Sequence, residues 1–217
     1  MLFRSRLGKP GDKVTVSGMR VNGGAETALP PHALRANILC KRHNEQLSAL
    51  DGMSASFIDT LSGDPRRGAF VSNNGHLLRH FSGRAMEAWF LKVALGLLVS
   101  GNASFPAKPD SWKPPVALLR ILFRGETFAV PLGLYTVDQP GNGHHFQAQL
   151  FGDEQGLSAM KCVLANVVFV LIMTADVRPF ARSVYRPPEF FRRDLPPRIV
   201  RLIWDEPGAN ERIDIGF

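Results

Sequence analysis

Seven short apolar segments recur along the second half of the chain, separated by turn signals, and this pattern constrains the fold more than any other feature. The segments are Ala117–Phe123, Phe128–Val137, Phe146–Phe151, Leu157–Leu164, Val167–Thr174, Ile199–Trp204 and Ile213–Phe217. Gly125-Glu126, Pro140-Gly141-Asn142-Gly143 and Gly152-Asp153 punctuate them. Short connections favour antiparallel pairing. The first segment, Ala117–Phe123, fits a helix equally well, because periodicity does not separate the two in so short a run. Ahead of the segments lies the strongest helical pattern, Arg84 to Val99. Its apolar stripe holds Trp89, Phe90, Val93, Ala94, Leu97 and Leu98, with Lys92 as a snorkelling interruption. Ser82 stands in an N-cap position and Gly101 is a terminator. These signals predict an α+β fold in which an antiparallel sheet from residues 117–217 packs on one main helix.

Apolar residues make up 45% of the 217, enough for a core and too many for wholesale disorder. The longest apolar run, Val163 to Met173, is interrupted by Asn166 and falls well short of the roughly 20 residues that a membrane helix needs. No membrane partner is expected. Met1 to Lys9 is basic with no apolar stretch behind it, unlike a secretory signal, so a cytoplasmic location is expected. Cys40 and Cys162 cannot build a disulfide framework; they read as reduced thiols or, for Cys40, as a metal ligand.

The charge is uneven. Of a formal net charge of +7, residues 1–50 carry +5. In this front part, Val14, Val16 and Val21 suit a short hairpin with Asn22-Gly23-Gly24 as its turn. From Asn37 to Leu61 the apolar spacing turns helical, with Gly52 expected to separate two short helices. Gly63-Asp64-Pro65 is a stop, which predicts a module over 1–63 and an α+β domain over 64–217. Ala69–Ser72 reads as a further strand.

The run Asn37-Ile38-Leu39-Cys40-Lys41-Arg42-His43-Asn44, continuing to Leu50-Asp51, resembles the second half of an HNH-type treble clef. Two ligands separated by two residues, at a turn entering a helix, can reach one tetrahedral zinc. The resemblance, which covers about 15 residues, implies several roles. Cys40 and His43 would be half of a structural zinc site. Asn37 would be the orienting asparagine of the ββα hairpin, and Asn44 would sit at the metal or phosphate position. Nucleases of this family use a histidine to activate water and a divalent metal to stabilise the leaving oxygen. The chain departs from that pattern, because residues 1–39 hold no cysteine and His32 as their one histidine, close before Asn37 and after Pro30-Pro31. The missing ligand pair and base are expected either to lie upstream of Met1 or to have been lost. No cofactor is therefore expected in this chain, whereas zinc and a divalent metal such as magnesium would come with the missing half.

A second charged feature is the segment holding Arg178, Arg182, Arg186, Arg192, Arg193, Arg198 and Arg201, interleaved with Phe180, Tyr185, Phe190, Phe191 and five prolines. Arginines beside aromatics in an extended loop suit phosphate contact and base stacking, and Arg182, Arg186, Arg192 and Arg193 are the expected contacts to DNA or RNA. The plainer reading is a surface loop anchored by its aromatics. His76 and His80 have helical spacing, but Asn74-Gly75 argues for a turn; His144 and His145 follow a Gly-rich turn. Surface histidines are the expectation for both pairs. Two functions compete: a nucleic-acid-associated relative of HNH endonucleases, catalytically incomplete, and a non-catalytic basic scaffold or protein-interaction protein. A hydrolase with its site in the sheet ranks last, because no acid–base constellation, P-loop or nucleophile elbow is present in the sequence.

Overall fold

The computed structural model describes residues 14–16, 27–29, 41–62, 70–71, 77–101, 103–105, 108–140, 147–175, 183–192, 197–205 and 212–215. A hairpin of β1 (Val14–Val16) and β2 (Thr27–Leu29) leads to helices α1 (Lys41–Gln46) and α2 (Ser48–Ser62). Strands β3 (Phe70–Val71) and β4 (Leu77–Ser82) precede the main helix α3 (Gly83–Val99) and the shorter α4 (Val116–Arg124). Next come β5 (Gly133–Pro140), β6 (Gln147–Asp153), β7 (Gly156–Leu164), β8 (Val167–Ile172) and β9 (Ser183–Tyr185). The last strands are β10 (Glu189–Arg192), β11 (Arg198–Ile203) and β12 (Arg212–Ile215). The fold is α+β, as the sequence predicts.

The strands divide between two five-stranded sheets. One, ordered β6-β7-β8-β5-β9, is antiparallel throughout. The other, ordered β12-β10-β11-β4-β3, is mixed: β11 runs parallel to β4 and β12 parallel to β10, while β10–β11 and β3–β4 are antiparallel. The expected single sheet over 117–217 is thus split. The chain leaves the first sheet at Arg186, whose φ is +47°, and the following Pro187-Pro188 cannot donate ladder hydrogen bonds. It re-enters sheet structure at Glu189, in the second sheet. The β7–β8 turn places Ala165 and Asn166 at φ of 47° and 66°, the positive pair that a two-residue hairpin of type I′ needs.

One open choice is resolved and two local expectations are corrected. Ala117–Phe123 is helical: α4 starts behind Pro115 and ends at Gly125, which holds the left-handed φ of 69°. α2 runs through Gly52, which is exposed; the break falls at Leu47, buried between α1 and α2. The partner of Val14–Val16 is Thr27–Leu29, and Val21 with its Asn22-Gly23-Gly24 turn lies outside the described residues. The main helix matches its signals: Ser82 Oγ accepts from Ala85 N at 3.2 Å, and Gly101 takes φ +71° just past the end.

Both sheets and both long helices meet in one core. Phe57 of α2, Phe90 of α3, Phe169 of β8 and Phe190 of β10 are fully buried. Their ring centroids stand 5.2 Å apart for Phe90–Phe169, 5.7 Å for Phe169–Phe190 and 6.1 Å for Phe57–Phe190, mostly tilted or edge to face. This core spans both sides of the expected boundary at residue 63, because Phe57 and Leu61 belong to it.

Candidate functional site

The resemblance to a treble clef falls on α1. His43 is exposed, and its ring stands 4.9 Å from that of Phe123 on α4, tilted by 55°. Asn44 is a residue of α1; its side chain, like Asn37 and Cys40, lies outside the described residues. Among the described residues no group of three or more histidine, cysteine, aspartate or glutamate side chains stands ready for a metal. His43 is one described member of the ligand set, and by itself it does not make a zinc site.

What ties this segment to the body is Lys92. Its Nζ donates to Asp51 Oδ2 at 2.6 Å and to Leu47 O at 3.2 Å, with both charged side chains mostly buried. Lys92 therefore does not snorkel to solvent. It carries the α1–α2 junction against α3, and the Leu50-Asp51 end of the motif supplies its carboxylate.

The arginine-rich segment is a different structure from the open loop expected. Phe190 is a core residue and Phe191 is half-buried in β10, so Phe190 offers no ring for base stacking. Arg186 is withdrawn from solvent, with both members of its pair with Glu87 of α3 only 3% exposed. Arg186 Nε donates to Glu87 Oε1 at 3.1 Å, and Nη2 donates to Glu87 Oε2 at 3.4 Å and to Phe128 O at 3.2 Å. Leu134 N donates to Glu87 Oε1 at 2.9 Å. The guanidinium carbon stands 5.1 Å from the Tyr185 ring and 5.4 Å from that of Trp204. Gly133, at φ +123°, is needed here, because a Cβ at that position would collide with Glu87 Oε1. Burial pushes the Glu87 carboxyl above its usual range, opposed by the Leu134 N–H and by Arg186. A pair this enclosed joins α3 to β5 and β9; it does not touch a phosphate from outside. Arg186 is thus corrected from a phosphate contact to a buried ion pair.

The other expected contacts divide. Arg182 and Arg193 lie outside the described residues; Arg192 closes β10, and its side chain lies outside them too. Arg201 pairs with Glu189 across the β10–β11 ladder at 2.8 Å, and Arg84 pairs with Asp205 at 2.6 Å. His80 is an exposed residue of strand β4, so helical spacing with His76, which lies outside the described residues, does not hold. His144 and His145 also lie outside. Cys162 is a free thiol, buried, with its pKa pushed up by desolvation, and is therefore unreactive.

A cavity of about 590 Å³ opens between α2 and β4, lined by Met53, Ser56, Leu78, Arg79, His80 and Phe81. Arg79 Nη1 donates to Ser56 Oγ at its wall. The sequence reading found neither this cavity nor the Glu87–Arg186 pair. The signal for the pair was a glutamate between Met86 and Trp89, on an otherwise apolar helix. No helix among the described residues is long and apolar enough to cross a membrane. No known family model, no curated protein and no solved structure matches this chain.

Proposed function

We propose that the protein is a cytoplasmic, nucleic-acid-associated relative of HNH endonucleases whose catalytic set is incomplete in this chain. The observation that carries this reading is the order hairpin β1–β2, then α1 with His43 exposed, the ββα order the resemblance implies. It falls in the segment that carries +5 of the net +7 charge. Binding would rest on phosphates, with Arg182, Arg192 and Arg193 as the remaining contacts of the arginine-rich segment. Zinc and magnesium would enter only with the missing ligand pair and base. The test is fluorescence anisotropy of labelled duplex and single-stranded DNA and RNA at low salt, with nicking assayed in magnesium or manganese. Binding without cleavage is the expected result. Robust nicking that Asn44→Ala abolishes would overturn the incompleteness, and His32 would then be the first candidate base.

A second reading, a basic scaffold or protein-interaction protein, is favoured by a separate observation. Arg84, Arg186 and Arg201 are each engaged by a carboxylate within the fold, which lowers the charge left for a polyanion. Absence of binding to any of the four nucleic acids at low salt selects this reading.

A further inference from the structure

Arg198 opens β11 and is 6% exposed, yet its Nε and Nη1 have no hydrogen-bond partner. A buried cation is costly unless it is paired, and buried polar atoms nearly always find partners. The ladder supplies no counter-charge: the residue opposite Arg198 is Arg192 on β10 and Leu77 on β4. Two residues on, Val200 is in register with Arg79. Strand alternation therefore puts Arg79 and Arg198 on one face of the mixed sheet as diagonal neighbours. Arg79 also lines the cavity between α2 and β4. Arg79 is engaged by Ser56, so the two unsatisfied donors at the end of the sheet where β11 begins belong to Arg198.

We propose that Arg198 holds an oxyanion, the carboxylate or phosphate group of a small molecule, at this end of the mixed sheet. The two orphan donors lie on different edges of the planar guanidinium. An oxyanion on either edge takes one of them together with Nη2, the fork geometry that arginine offers to carboxylate and phosphate. Binding relieves the buried charge, so the site discriminates for charge and shape together. This inference does not rest on the nucleic-acid reading, because its ligand is a small oxyanion and its readout needs no polymer.

The test is thermal unfolding of the full chain at constant ionic strength, with chloride exchanged for inorganic phosphate in one series and for acetate in another. A saturable rise in Tm of about 2–4 °C over chloride is expected in at least one series. A phosphate response assigns a phosphate-bearing ligand and an acetate response a carboxylate-bearing one; either supports the site. Arg198→Met removes the orphan donors and is expected to abolish the rise while unfolding no earlier than the unsubstituted chain in chloride. Arg198→Lys keeps the charge without the fork and is expected to weaken the apparent affinity by about tenfold or more. Should neither variant fold, calorimetric titration of the unsubstituted chain with phosphate and acetate decides, and one-site saturation is the expected result. No response to either anion, or an equal response in Arg198→Met, overturns the proposal.

Discussion

Glu87 and Arg186 are 99 residues apart in sequence and meet at 3.1 Å, each side chain only 3% exposed. The attraction inside a low-dielectric core is large, but so is the cost of desolvating both ions, so the pair is worth less as net stability than as a lock on geometry. Removing one partner is different, because it strands the other. Arg186→Met is expected to destabilise the protein by about 3–5 kcal/mol near neutral pH. The Glu87 carboxyl is already raised above its ordinary 4.5 by burial and rises further without the guanidinium. A carboxyl raised in the folded state binds its proton more tightly there than in the unfolded chain. Its contribution is therefore fully present below 4.5 and is lost as pH rises from there through the folded value. The Arg186→Met penalty should accordingly shrink as pH falls, because the raised Glu87 carboxyl takes up its proton and no longer strands a charge. Urea unfolding of the two proteins across that range measures the difference, and a penalty that grows on acidification would show that the carboxylate is not the stranded group.

At the scale of elements, the signals that succeed are local. Ser82 caps α3 and Gly101 ends it because both act within one turn, and the apolar stripe between them buries Trp89, Phe90 and Val93. Phe90 faces Phe169 across the helix–sheet boundary, so Phe90→Ala should cost about 3–5 kcal/mol and lower the denaturant midpoint. An unchanged midpoint would mean that the stripe does not face the sheet. The elements the sequence conceals depend on distant partners. β4 shows no alternation in Leu77-Leu78-Arg79-His80-Phe81, and its parallel partner β11 follows more than 100 residues later. α4 was ambiguous because a run of its length satisfies both periods, and it is the left-handed turn at Gly125 that closes it as a helix. Of the candidate site, the Cys40-Lys41-Arg42-His43 spacing is legible, whereas the burial of Arg186 is not, since sequence alone gives no register between α3 and β9. The short α1 carries one further expectation. With Cys40, just before α1 in sequence, and His43 as the two possible ligands, purified protein should hold little zinc, because two ligands rarely retain a structural ion. Elemental analysis near one zinc per chain would mean that a second ligand pair exists.

For the whole molecule, the question is where a net charge of +7 remains available after the fold has used part of it. Arg186 is spent in the core, and Arg84 and Arg201 have carboxylate partners nearer the surface. If phosphate contact uses the arginine-rich segment, it falls to Arg182, Arg192 and Arg193, since Arg186 is buried and Glu189 and Phe190 are committed to the mixed sheet. Non-specific binding to a polyanion is driven by counterion release, so its affinity falls with salt in proportion to the number of phosphates neutralised. Replacing Arg192 and Arg193 together with alanine should therefore lower the slope of log K against log salt by up to about two charge units, and weaken duplex and single strand alike. The basic front segment supplies the competing surface. Neutralising Arg4, Arg6 and Lys9 should leave the slope unchanged if the arginine-rich segment carries the contact, and should reduce it by up to about three units if the front does. Anisotropy titrations of the two variants over the same salt series separate these outcomes. An unchanged slope in both would remove both surfaces and return the charge to the role of keeping a basic scaffold in solution.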